Sequence, residues 1–208
     1  MRKDLTMEIY IVRHGQTKWN KEKRLQGSVD IELNENGKEL AVITGKNLMD
    51  THIDVIYSSP LKRAHETAKL IRGERNIDII TDDRLRELNF GSMEGESYEK
   101  LYQEQTHGFK YFFTEPQLYY PPEDGETLEH LVARASGFMR DVIEPLADRY
   151  ERVMIVAHGA MNKALMTHVK KHTLEHFWSG GLQKNCNVII MDYTDGKYTI
   201  IDETKTFY

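Results

Sequence analysis

The chain has a single cysteine, Cys186, in 208 residues. An internal disulfide is therefore impossible, which fits a reducing compartment, and a cytoplasmic location is the expectation. There are only five prolines and 14 glycines, and no low-complexity tract or internal repeat, which excludes wholesale disorder. No apolar run approaches the ~20 residues of a membrane span. The stretch from Met1 to Thr6 mixes basic and acidic residues, and the apolar run after it is too short and mixed for a signal peptide. Positive charge is also short: 28 Lys and Arg stand against 33 Asp and Glu, a net −5. That argues against a nucleic-acid surface. It leaves an anionic substrate open, because a site needs only local positive charge. The strand–GxxxxGKS/T–helix loop and the GxGxxG loop, two common phosphate-binding devices, are both missing.

What is present suits one domain, residues 1–208. Hydrophobic residues make up 39% of the chain, enough for a core. Met7 to Val12 reads as a buried strand, followed by a polar loop to Leu33. Asn34 then caps an amphipathic helix carrying Leu40, Ile43, Leu48 and Met49. Asp54 to Tyr57 is a second strand. Pro60 suits the first turn of a helix from Leu61 to Arg72, and Ile77 to Ile80 is a third strand. Residues 91–126 are rich in aromatics and read as a helical or irregular insertion over a sheet edge or a pocket. Leu128 to Arg149 has helical spacing. Val153 to Ala157 is a strand, and a helix from about Gly159 to Lys170 follows. Val188 to Tyr193 and Lys197 to Ile201 flank a hairpin turn at Thr194-Asp195-Gly196. The alternation predicts an α/β fold, a three-layer α/β/α sandwich with a mainly parallel sheet.

Four strand ends carry reactive side chains. Arg13-His14-Gly15 follows the first strand, at the carboxyl-end mouth where ligands bind in open α/β sheets. Arg63 falls in the first turn of the helix after the second strand, where free N–H groups and the dipole favour anions. Glu87 follows the third strand, in Leu85-Arg86-Glu87-Leu88. His158-Gly159 ends the strand at Ala157. Singly, each has a plain explanation: a polar turn, a solvated arginine, a surface ion pair, a capping histidine. Together they make a phosphoryl-transfer set. Arginine suits phosphate oxygens, and histidine can attack phosphorus through a ring nitrogen.

The chain resembles the histidine phosphatase superfamily, also called phosphoglycerate mutase-like. The resemblance rests on Arg13-His14-Gly15-Gln16-Thr17-Lys18-Trp19-Asn20, on Leu25-Gln26-Gly27 with Asp30 and Leu33, and on Ser58-Ser59-Pro60-Leu61-Lys62-Arg63-Ala64 with Glu66-Thr67-Ala68. It continues through Leu85 to Gly91 with Glu94-Gly95, through Gly125-Glu126-Thr127, and ends at Ala157-His158-Gly159. These pieces occur in the family's order across about residues 8 to 190. The resemblance implies His14 as the nucleophile that becomes a phosphohistidine, with its other ring nitrogen donating to a carbonyl. It implies Arg13, Arg63 and His158 on the phosphoryl oxygens. Glu87 becomes the general acid and base, a role that needs its proton affinity raised by burial or by the substrate's charge. Asn20, Gln26, Gly27 and Gly159 would line the phosphate pocket. No metal and no cofactor are called for, since the arginines supply the positive charge.

The resemblance implies a metal-independent phosphomonoesterase with water as acceptor, acting on a small phosphorylated metabolite. No nucleic-acid or membrane partner is expected, and the oligomeric state is not encoded visibly. One alternative is a phosphoglycerate mutase using 2,3-bisphosphoglycerate as cofactor. A second alternative is a non-catalytic protein that binds phosphorylated ligands. The mutases resemble one another in a Tyr-Gly-x-Leu-x-Gly-x-Asn-Lys run. Here Phe90 replaces the tyrosine and Ser97-Tyr98 the Asn-Lys, and no Arg-Arg pair follows before Gly125. Leu182 to Asn187 looks like the phosphatase branch. His168, His172 and His176 recur at helical spacing, but no cysteine or carboxylate cluster completes a metal site. Cys186 reads as a small buried residue before a strand.

Overall fold

A computed structural model describes residues 6–105 and 108–208. The segment from Met1 read above for a leader lies mostly outside them. The elements run β1 (Met7–Arg13), α1 (Lys18–Lys21), α2 (Glu35–Asn47), β2 (Val55–Ser58), α3 (Lys62–Arg72), β3 (Asp78–Thr81), α4 (Tyr98–Gln103), α5 (Leu128–Phe138), β4 (Arg152–Ala157), α6 (Gly159–Lys170), β5 (Val188–Thr194) and β6 (Lys197–Lys205). The strands form one six-stranded sheet in the order β3-β2-β4-β1-β5-β6. β1, β2, β3 and β4 pair in parallel, and β5 and β6 add an antiparallel edge. The expected mainly parallel sheet is present, with helices on both faces.

The period-2 pattern of the central strands explains the layers. Ile9 and Ile11 of β1, with Val153 and Ile155 of β4, pack against Leu131, Phe138, Met161 and Leu165 of α5 and α6. Tyr10, Val12, Met154 and Val156 alternate to the other face and meet Ala41, Ala64, Ala68 and Ile71 of α2 and α3. Both faces are covered, so Ile9 to Val12 and Val153 to Ala157 are apolar without a break.

Three local expectations are corrected. The helix expected to run to Arg149 ends at Phe138, widens into a π-turn over Met139–Ile143 and finishes in a tight turn over Glu144–Leu146. Pro145 sits in that last turn. It has no N–H to donate, and its ring collides with the carbonyl four residues back. The loop after β1 contains a helical turn, α1, closed by a capping box between Thr17 and Asn20. Pro60 lies before the helix: α3 begins at Lys62 with Leu61 as its cap. Asn34 does cap α2 as read, accepting from the Gly37 N–H at 2.8 Å.

The described residues of 91–126 form short helical pieces joined by turns. Their inner side chains, Leu101, Phe109, Phe112 and Tyr119, are buried in the core on the α5/α6 face. Phe109 and Phe112 stack at 5.7 Å between ring centres. Most of the aromatic richness of this stretch is therefore core packing, as aromatic area favours.

Candidate active site

The site is built at the carboxyl ends of β1, β2 and β4, which bring the reactive segments side by side. His14 leaves β1 with its N–H still donating to the Ala157 carbonyl of β4, at 3.0 Å. Its own carbonyl accepts from Asn185 Nδ2 at 3.0 Å. The His14 ring is 2% exposed, and Nδ1 lies 2.6 Å from the Gly15 carbonyl oxygen. Burial first, then the charges of Arg63 and Arg13, hold its pKa well below the usual histidine value. The ring is therefore neutral at pH 7. A carbonyl oxygen only accepts, so Nδ1 carries the proton and Nε2 keeps its lone pair. Gly15 is required by close approach: a Cβ there would lie 2.5 Å from the Gly37 carbonyl oxygen. The loop thus packs directly on the start of α2.

Arg63 is fully buried. Its Nη1 and Nη2 donate to the carbonyls of Val29 at 2.8 Å and Gly27 at 2.7 Å. Burial lowers its pKa to about 10, so it stays charged at neutral pH. Gly27 takes a positive φ of 55°, and a Cβ there would meet Glu94 Oε1 at 2.0 Å. Glu94 accepts from the N–H groups of Ser28, Val29 and Phe90, joining the loop that holds Arg63 to the loop that carries Glu87. The start of α3 is not the open anion site its sequence suggests. The Lys62 N–H donates to Asp30 at 2.7 Å and the Leu61 N–H to Ser59 Oγ at 3.3 Å. Arg63 serves the site by its guanidinium alone.

Arg13 Nη1 donates to the Gln183 carbonyl. His158 is fully buried, with its ring centre 5.2 Å from that of His14. Burial, then the charge of Arg63, keeps it neutral as well. Its Nε2 lies 2.8 Å from Ser59 Oγ. Arg13 Nε, Arg63 Nε and His158 Nδ1 are all buried and have no hydrogen-bond partner among the described residues. Orphaned buried N–H groups are rare and expensive. Two such arginine nitrogens at one cavity, with His158 Nδ1 behind His14, mark a place for an anion.

Glu87 occupies the start of α6. Its carboxylate accepts from the N–H groups of Ala160 at 3.1 Å, Met161 at 3.0 Å and Leu88 at 2.9 Å, where the helix dipole favours a carboxylate. A cleft is lined by His14, Arg13, Arg63 and Glu87, and by Asn20, Gln26, Gly27 and Gly159. All the residues singled out in the sequence therefore converge here, His158 lying behind His14. Asn20 and Gln26 present donors. Asn20 Oδ1 accepts from the Thr17 N–H at 3.1 Å and Gln26 Oε1 from Thr17 Oγ1 at 2.8 Å, which leaves their N–H₂ ends for the cavity. His168 Nε2 pairs with Glu144 at 2.8 Å.

Several participants were not legible. Tyr98, Phe112, Phe113, Trp178 and Leu182 form a second, apolar wall of the cleft. Arg134 lies behind Glu87 and donates to the carbonyls of Arg84, Arg86 and Glu87 at 2.7, 2.6 and 3.0 Å. It also grips Glu126 through Nε and Nη2 at 2.7 and 2.9 Å. The one available signal for it was its place on the buried side of a helix that starts just after Gly125-Glu126-Thr127.

The chain resembles known proteins over most of its length. The chain is 32% identical to phosphoserine phosphatase 1 of Hydrogenobacter thermophilus over 175 residues, 84% of this chain and 82% of that one. It is 35% identical to a 2,3-bisphosphoglycerate-dependent phosphoglycerate mutase of Cytophaga hutchinsonii over 78% of this chain and 77% of that one. The solved structure of Bacillus stearothermophilus YhfR superposes with a TM-score of 0.89 at 34% identity, covering 97% of this chain and 98% of that one. The family model for the histidine phosphatase superfamily, branch 1, matches residues 9–205. The chain belongs to that superfamily and is an enzyme that hydrolyses phosphate esters.

Proposed function

We propose that the chain is a phosphomonoesterase that works through a phosphohistidine on His14 and passes the phosphoryl group to water. His14 Nε2 attacks phosphorus while the bond to the ester oxygen breaks, and Glu87, carrying a proton taken up with the negatively charged substrate, delivers it to that oxygen. Glu87, now a carboxylate, takes a proton from a water whose oxygen attacks the phosphohistidine. The P–N bond breaks and phosphate leaves. The three unpartnered nitrogens, Arg13 Nε, Arg63 Nε and His158 Nδ1, hold the phosphoryl oxygens together with the amides of Asn20 and Gln26. A Ser59 hydroxyl that donates to His158 Nε2 leaves Nδ1 as the N–H. Gly159 keeps the approach open, since a Cβ there would lie 2.8 Å from Leu182 Cδ1 and 3.7 Å from Glu87 Oε2. Positioning and electrostatics are most of what phosphoryl transfer requires, and this chain's own cations supply both. The single observation that carries the reading is the pair of orphaned arginine nitrogens beside a histidine whose free nitrogen is a lone pair.

In this reading the whole chain is one catalytic unit, with residues 91–126 as a wall of its cleft, working in the cytoplasm on a small phosphorylated metabolite without metal or cofactor. No helix among the described residues is long and apolar enough to cross a membrane. The mutase alternative is favoured by the Cytophaga relative. Phosphate release from a panel of phosphomonoesters, with and without 2,3-bisphosphoglycerate, separates the two. Wild type is expected to release phosphate without the bisphosphate, and His14→Ala to lose at least ~1000-fold. Interconversion of phosphoglycerates that depends on the bisphosphate would favour the mutase. Equal release by wild type and variant would leave only a binding protein.

A further inference from the structure

We infer that Asn162 and Gln183 are positioning residues for phosphoryl transfer, joined in a buried relay of amides that aims Arg13. The inference rests on the reading of Arg13 as a holder of the phosphoryl group, and adds the device that sets its direction.

Arg13 is bracketed by one short segment, residues 183–187. Its backbone N–H donates to the Asn187 carbonyl at 3.1 Å, and its carbonyl accepts from the Cys186 N–H at 2.9 Å. Those two bonds fix the backbone alone. The side chain is directed by one hydrogen bond among the described residues, from Nη1 to the Gln183 carbonyl. Nε is the nitrogen left unpartnered. The set of the Gln183 peptide therefore decides where the free N–H of Arg13 points.

The Gln183 side chain holds that peptide in place. Asn162 Nδ2 donates to Gln183 Oε1, Gln183 Nε2 to Asn187 Oδ1, and Asn187 Nδ2 to the Lys205 carbonyl, each at 2.8 Å. A carbonyl only accepts, so the last bond fixes which end of every amide faces which neighbour. All three side chains are buried, where such bonds are electrostatically strong.

Two features separate the relay from plain packing. Asn162 stands on α6 among the buried Ala160, Met161, Ala164, Leu165 and Met166, and its Oδ1 has no partner among the described residues. Packing alone favours an apolar side chain there. The relay also starts beside the N–H groups of Ala160 and Met161 that receive Glu87. One stretch of α6 thus locates the carboxylate directly and the Arg13 cation through Gln183. A misplacement of ~1 Å in such a group can cost about 100-fold in rate.

The test is a double-mutant cycle of Asn162→Leu and Arg13→Ala, read on kcat/KM for 4-nitrophenyl phosphate and on inhibition by inorganic phosphate. Alone, Asn162→Leu is expected to lower kcat/KM by ~10-fold or more and to weaken inhibition by phosphate. Its Tm should change little, because one unpartnered acceptor is exchanged for another, Gln183 Oε1. In the Arg13→Ala background the same substitution is expected to change kcat/KM by less than ~3-fold, since no guanidinium remains to be aimed. Gln183→Leu keeps the backbone carbonyl and cuts the relay at its centre. It should give the same pattern, and it carries the test if Asn162→Leu folds poorly. Equal losses with and without Arg13 would mean general damage and overturn the inference, as would full activity in both single relay variants. Wild-type turnover by Arg13→Ala would remove Arg13 from the site and the relay's role with it. Inhibition by phosphate needs only an anion at Arg13. Coupling seen there while His14→Ala keeps full turnover would discard the phosphohistidine and leave the relay standing.

Discussion

In the proposed mechanism, a neutral histidine flanked by two arginines defines the chemistry at the scale of single residues. Arg63 is held rigid by two loop carbonyls, so its Nε is preorganised toward the developing charge. Losing such a donor costs about 100- to 1000-fold in rate. Arg63→Ala is therefore expected to lower kcat by at least ~100-fold, read by steady-state phosphate release. A variant with near-normal turnover would remove Arg63 from the site. Most of these residues could be read in the sequence, because each stands beside a strand end within a short motif. Ser59, Asn185 and Arg134 could not. Their roles are contacts with residues far along the chain: Asn185 meets His14 across 171 positions and Ser59 meets His158 across 99. No spacing rule announces such a pair.

At the scale of elements, the loop of Glu87 is held from both sides. The first turn of α6 takes its carboxylate, and Arg134 on α5 takes its backbone. Arg134 acts through Glu87, as a positioning residue. Arg134→Ala is expected to lower kcat by about 10-fold or more while KM changes little, the pattern of a lost transition-state interaction. The loss should be larger for an alkyl phosphate than for 4-nitrophenyl phosphate, whose alcohol leaves without a proton. Equal losses on both esters would point to general damage. Arg134→Lys should recover little, because an ammonium cannot span several acceptors as the guanidinium fork does. Element order and type were largely legible, since β1 and β4 are short apolar runs bounded by polar turns. The π-turn after α5 was not, although Pro145 gave its position. The α1 turn was missed because four residues carry no periodicity, even though Thr17 and Asn20 spell out its cap.

At the scale of the whole molecule, the two buried neutral histidines link folding to pH. The folded-state pKa of His14 and of His158 is depressed, so the unfolded chain binds their protons first. Stability is fully present above the unfolded value of about 6.5. It falls as pH drops below that value, by up to about 1.4 kcal/mol per pH unit for each histidine. Urea unfolding at pH 7 and pH 5.5 should show the decline, and His158→Gln should make it shallower. A slope that does not change in this variant would mean that His158 is protonated in the folded state. The fold class followed from the alternation of strands and helices. The central place of β1 did not, because the order of strands depends on pairings that only the folded chain reveals.

That central place has a consequence for how the protein comes into being. β1 leaves the ribosome before its neighbours β4 and β5, with Val12 paired to both Val156 and Val188. At ~5–20 residues per second, Val12 is made roughly 10–35 s before Val188. His14 spends that interval without the carbonyl of Ala157 and the amide of Asn185 that fix its backbone. His14, the proposed nucleophile, is translated well before the partners that fix its backbone, so a chain that stops short of β5 lacks the assembled site.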